Sequence, residues 1–195
     1  MKPGGANLKG YKFEREVCKD LSLWLSDGAD RDYFWRSAMS GGRATIGRKN
    51  GVTLLRHAGD VMATHPKAHH FVERFVVDCK SLKKLNLNSL IQKGIGVMGE
   101  AWSKVRTEGE AYGKTPMLIV RENLGRTLMA VPRGTPGFAQ AALVARLYRE
   151  DMDIYLFDDL IEHPYERPPV ATGPVAAVPV EDAPVEDASG VESAP

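Results

Sequence analysis

The alternation of helical and strand-like periods along this chain predicts an α/β fold, a mixed β-sheet flanked by helices. Three observations carry that expectation. An apolar period close to 3.6 runs through residues 10–26 and again through 87–105. β-Branched and aromatic runs occupy 71–79, 116–120 and 127–131. Helices and strands are interleaved rather than segregated along the 195 residues, and a hydrophobic share of 43% suits a soluble domain with a core.

Taken in order, the first helix covers 10–26. At about 100° per residue, Phe13, Val17, Cys18, Leu21, Trp24 and Leu25 fall within an arc of about 140°, and Asp27-Gly28 ends it. A short strand is expected at Tyr33-Phe34-Trp35-Arg36, and a strand or turn between Leu54-Leu55 and Val61-Met62. Residues 71–79 form the clearest strand, reached from Val61 by a hairpin turning near Pro66-Lys67. Leu87, Leu90, Ile91, Ile95, Met98, Ala101, Trp102 and Val105 define one helix over 87–105. Strands 116–120 and 127–131 flank Asn123-Leu124-Gly125 as a hairpin, 138–149 is expected to be helical, and 154–157 is a last strand.

The formal net charge of +1 argues at first against a nucleic-acid partner, but it averages unlike parts. Residues 164–195 carry the tandem Pro179-Val180-Glu181-Asp182-Ala183 and Pro184-Val185-Glu186-Asp187-Ala188, and hold six acids and one base. This composition reads as a disordered acidic tail suited to contacting a protein partner. The remaining 25 bases and 19 acids leave residues 1–163 as a folded domain of charge +6. Between Asp32 and Asp60 there is no acid, while Arg36, Arg43, Arg48, Lys49 and Arg56 lie among several glycines. Positive side chains on a Gly-rich loop suit a phosphate backbone; a solvated basic loop is the plainer alternative. No apolar run approaches a membrane span. The N-terminus lacks the apolar core of a signal peptide, and two cysteines are too few for a disulfide framework. A cytoplasmic setting is expected.

Three acids and a lysine stand out. Asp78 and Lys80 end the clearest strand and, at period two, share a face with Val76; a strand-end salt bridge is the alternative. Asp60 follows Gly59, and a hairpin to Val77 brings it beside Asp78, or leaves it a turn residue. Paired carboxylates repel unless a cation or shared proton compensates, and a hard divalent metal is the usual resolution. Glu14 falls at about 100° from Phe13, inside the apolar arc of the first helix. Buried there, it needs a hydrogen bond, a metal or an ion pair, with Arg36 as a candidate partner.

Together these residues resemble the PD-(D/E)XK nuclease superfamily, with a motif layout similar to archaeal-type Holliday-junction resolvases. Gly10-Tyr11-Lys12-Phe13-Glu14-Arg15 resembles the pattern that opens the first helix there, Ser40-Gly41 the Ser-Gly step, and Gly59-Asp60 with Asp78-Cys79-Lys80-Ser81 the paired motif. Gly59 stands where the family commonly has Pro, and the likeness covers about residues 10–131. The resemblance implies a restriction-endonuclease-like core and metal-assisted phosphodiester hydrolysis in DNA recombination or repair. It implies Glu14, Asp60, Asp78 and the Cys79 carbonyl as ligands of Mg²⁺ or Mn²⁺. Lys80 would orient or deprotonate the attacking water, and Ser40 would contact the scissile phosphate. Arg36, Arg43, Arg48, Lys49, Arg56, Lys83 and Lys84 would grip DNA, and a junction substrate would require a homodimer. A catalytically inactive DNA-binding relative of the same fold is the alternative. His65, His69 and His70 lack partners for a zinc site, and Cys18 and Cys79 are expected to be buried thiols.

Overall fold

A computed structural model describes residues 5–37 and 58–165. Most of the expected basic loop, with Ser40, Arg43, Arg48, Lys49 and Arg56, lies outside the described residues, as does the expected tail beyond Tyr165.

Helix α1 spans Gly5–Leu25 and buries Phe13, Val17, Cys18, Leu21 and Trp24, the arc its period requires. Ser22, fully buried, ties it to the next element. Its hydroxyl donates to the Cys18 carbonyl at 2.7 Å and accepts the Phe34 N–H at 2.9 Å. Strand β1 (Phe34–Arg36) pairs antiparallel with β2 (Val61–Ala63), Arg36 opposite Val61.

The expected hairpin from Val61 to Val77 is replaced by a longer route. After β2 the chain makes a 3-10 turn, Pro66–Ala68, then helix α2, His69–Arg74, and only then strand β3, Phe75–Leu82. The strand expected from residue 71 thus starts at Phe75. Its first residues are helical because Pro66 and the His65 ring, which accepts the Lys67 N–H, start a capped turn. Ala68 and Phe71 are then buried at helical spacing, with Phe71 in ring contact with Phe34 at 5.2 Å and Phe75 at 5.0 Å.

The single helix expected over 87–105 is two, α3 (Leu87–Lys93) and α4 (Val97–Tyr112). Gly94 and Gly96 between them have φ of +67° and +126°, which no right-handed helix accommodates. Ile91 and Ile95, counted toward the apolar face, are exposed. Strands β4 (Thr115–Glu122) and β5 (Thr127–Pro132) form the expected hairpin.

Residues 138–149 are not helical. Phe138 and Ala141 are buried in a turn-rich stretch, and Leu143–Leu147 form strand β6 against β7 (Met152–Leu156), which leads into the short helix α5 (Phe157–Leu160). The reason is a pairing across the β6-β7 hairpin. Asp153 on β7 is fully buried and takes two bonds from the Arg146 guanidinium, at 2.7 and 3.1 Å, directly across the ladder. A helix would carry Arg146 away and strand that carboxylate.

The sheet order is β3-β4-β5-β7-β6, with β3 and β4 parallel and the other neighbours antiparallel. This is the expected α/β class, a mixed five-stranded sheet flanked by helices as in a restriction-endonuclease-like core. One face, with Val77, Cys79, Met117, Ile119 and Met129, packs with α1 and α2; the other, with Val76, Leu118, Val120, Leu128 and Ala130, packs with α3 and α4. Among the described residues no helix is long and apolar enough to cross a membrane.

Candidate active site

Strand β3 is an edge of the five-stranded sheet, and the candidate residues gather along its free side. Asp60 docks there through its backbone and its side chain. Its N–H donates to the Val77 carbonyl at 2.7 Å, and its Oδ2 accepts the Cys79 N–H at 2.8 Å. Its own carbonyl accepts the Ser37 N–H at 2.8 Å, which anchors it to the end of β1. The N–H and C=O of one strand residue leave the same edge, so the Cys79 carbonyl opens toward the side that Asp60 occupies.

Gly59 permits this approach. Its φ is +80°, and a Cβ there would lie 2.5 Å from the Val77 carbonyl oxygen. Its N–H donates to Glu108 Oε1, on α4, at 3.1 Å. Proline, common at this position in the superfamily the sequence resembles, has φ fixed near −65° and no N–H to give.

Asp78 leaves β3 on the face of Val76, toward the α3 and α4 side. Lys80 lies on that same face, and its Nζ donates to Asp78 Oδ1 at 2.6 Å. The ammonium is equally near Oδ2, but without hydrogen-bond geometry, so among the described residues that buried oxygen has no hydrogen-bond partner. The strand-end salt bridge read from the sequence is therefore present. Burial, and then the charge of Asp78, push the Asp60 carboxyl up to about 7, against the pull of Lys80 and the Cys79 N–H. Burial also disfavours charge on Lys80, but Asp78 and then Asp60 outweigh it and hold the ammonium above the usual lysine value.

Glu14 is buried on α1, at 8% exposure, and of the partners its position called for the structure shows an ion pair. Arg36 Nε donates to its Oε2 at 2.5 Å, with the guanidinium 3.9 Å from the centroid of the Tyr11 ring. Arg36, expected on a phosphate, is thus engaged with Glu14. Lys83 and Lys84 are exposed just beyond β3.

These residues fit a hard divalent cation by the chemistry of their donors, carboxylate and carbonyl oxygens. Two buried carboxylates that repel each other, and an Asp78 Oδ2 with an ion-pair contact but no hydrogen bond, are what such an ion would satisfy. Among the described residues no three His, Cys, Asp or Glu side chains converge as a ligand group. Glu14 belongs to the helix packed on the opposite face from Asp78, and it turns to Arg36.

The thiols offer no nucleophile. Burial, then Glu14 and Asp60, push Cys18 up to about 12, and burial puts Cys79 well above its ordinary value. His65 stacks on Tyr33 and His70 bonds the Tyr165 hydroxyl at 2.8 Å, so these histidines serve packing. Glu108 and Ser37 were not singled out from the sequence. A helical wheel on α4 places Glu108 about 20° from buried Ala101, the same signal that exposed Glu14; Ser37 carries none, because it acts through its backbone.

A family model described as phage putative PDDEXK endonuclease matches residues 5–155. No curated protein and no solved structure matches the chain.

Proposed function

Because the chain belongs to the phage putative PDDEXK endonuclease family, we propose that it is a Mg²⁺-dependent DNA endonuclease, with Mn²⁺ as a substitute, that hydrolyses phosphodiester bonds. The observation that carries this reading is the pair of buried carboxylates, Asp60 and Asp78, at a free strand edge, with the Lys80 ammonium 2.6 Å from Asp78.

A divalent cation bound there supplies polarisation of the phosphoryl oxygen and a lowered pKa for the attacking water. Asp60, Asp78 and the Cys79 carbonyl would hold it, and Glu14 would complete the set on leaving Arg36. Lys80 orients the water and sets its positive charge against the charge that builds on phosphorus. Ser40 hydrogen-bonds the scissile phosphate. Arg43, Arg48, Lys49 and Arg56 follow the flanking phosphates, with Lys83 and Lys84 approaching from beyond β3. Water adds across one P–O bond, leaving a phosphate end and a hydroxyl end. The nuclease domain is residues 1–163, and the acidic segment 164–195 meets a protein partner. The motif layout favours branched DNA, which two symmetry-related copies cut in the cytoplasm during recombination or repair.

The test is incubation with four-way-junction, single-stranded and linear duplex DNA in Mg²⁺ or EDTA. Cleavage is expected in Mg²⁺, absent in EDTA, and lost in Asp78→Ala and Lys80→Ala. Binding without cleavage by the parent would favour a DNA-binding accessory protein instead.

A further inference from the structure

We propose that Arg36 is a positioning residue with two successive partners: it holds Glu14 away from the metal centre in the free protein and exchanges to a DNA phosphate on binding. This rests on the nuclease reading above and specifies how its site is assembled.

Asp60 sits among charged groups that are already paired. Each of the other two candidate carboxylates already has a cation of the chain against it, Lys80 on Asp78 at 2.6 Å and Arg36 on Glu14 at 2.5 Å. Among the described residues Asp60 forms no ion pair; its Oδ2 accepts the Cys79 N–H. A divalent cation entering the free site therefore meets two positive side chains and only part of its ligand set. Glu14 is near enough to act on Asp60 and Cys18 electrostatically, yet it does not join a ligand group with Asp60 and Asp78. Its Oε2 is instead bonded to Arg36 Nε at 2.5 Å, on a half-buried guanidinium that lies over the Tyr11 ring.

Arg36 ends β1, immediately before the basic stretch expected to follow DNA. A guanidinium takes phosphate oxygens in the same forked geometry as a carboxylate. Transfer of Arg36 from Glu14 to a backbone phosphate moves one positive charge off the site and releases one anionic ligand to it. Both changes favour the metal, so DNA and metal binding strengthen each other, and by linkage the factor is the same in either direction.

The measurement is Mn²⁺ affinity by titration calorimetry on the full chain, free and bound to a phosphorothioate-linked four-way junction that resists hydrolysis. DNA affinity is measured with and without Mn²⁺. In the parent, DNA is expected to raise Mn²⁺ affinity by about tenfold or more. In Arg36→Gln the free protein is expected to bind Mn²⁺ about tenfold tighter than the parent, with the coupling to DNA reduced to near unity. Glu14→Gln removes that gain. Arg121→Gln takes a charge from a second ion pair on α1, with Glu16, and is expected to change neither quantity. If Arg36→Gln matches the parent in free Mn²⁺ affinity, or retains the coupling, the exchange is wrong while the nuclease reading stands. If the parent binds neither Mn²⁺ nor DNA, the nuclease reading fails and this inference with it.

Discussion

Replacing Gly59 by alanine tests whether the placement of Asp60 depends on backbone contact with β3. An alanine Cβ at this position would sit 2.5 Å from the Val77 carbonyl oxygen and 2.9 Å from the Val77 nitrogen, where side chains do not come closer than 3.0 Å. Those atoms are backbone of a strand that its pairing with β4 holds in place, so the Gly59-Asp60 segment has to retreat by at least 0.5 Å. The left-handed φ of +80° adds about 1–2 kcal/mol for any side chain. Weakening the Asp60 N–H bond to Val77 removes about 1 kcal/mol more. The expected loss is about 2–3 kcal/mol, a fall of roughly 5–10 °C in Tm for a domain of this size. A carboxylate displaced by even part of an ångström is misplaced for catalysis, where 1 Å costs about 10²-fold, so kcat should fall by about that order. DNA affinity in EDTA should not change. Gly59→Pro should be worse on both counts, since it also deletes the N–H that Glu108 accepts. A Gly59→Ala protein with the parent's Tm and kcat would refute the claim that this contact sets Asp60.

Three further outcomes are expected. Ser22→Ala leaves the buried Phe34 N–H without its acceptor and should cost about 1–3 kcal/mol in urea unfolding; a midpoint like the parent's would contradict the bridging role. Hydrogen bonding from Arg146 holds the Asp153 carboxyl below its usual range, against burial and with help from the Gly134 N–H. A carboxyl lowered by folding contributes stability above its unfolded value of about 3.9, and that stability is lost as pH falls through the folded value. Asp153→Asn should therefore be less stable than the parent at pH 7, by a margin that shrinks below about pH 4; a constant margin down to about pH 3 would sink the assignment. Mg²⁺ at about 100 times its Kd should stabilise the parent by about 2.7 kcal/mol, and Asp60→Ala should show no such rise in Tm. An equal rise in both would place the metal elsewhere.

The candidate site was legible in the sequence where it depends on neighbours a turn or a pleat away. Glu14 within the arc of Phe13, Leu21 and Leu25 follows from helical spacing, and Asp78 sharing a face with Lys80 follows from strand alternation. The meeting of Asp60 and Asp78 was expected through a two-stranded hairpin. It arises instead because β2 pairs with β1 and the loop ahead of it docks on Val77, with α2 filling the connection. Glu108 is 49 residues from Gly59, and nothing in the local pattern joins them.

By itself, then, the sequence determined the α/β class, the apolar arc of α1 with its one carboxylate, the β4-β5 hairpin and the Asp78-Cys79-Lys80 segment. Each is a matter of period and propensity within a few residues. The tertiary structure set the partner that three buried carboxylates take: Arg36 for Glu14 and Lys80 for Asp78, both among the alternatives legible in the sequence, and Arg146 for Asp153, which was not. It also decided that residues 143–147 are a strand and that the helix after β3 breaks at Gly94 and Gly96. The physical reason is competition. A buried charge or backbone group takes the best donor that folding brings within about 3 Å, whatever its distance along the chain, and periodicity carries no record of that choice.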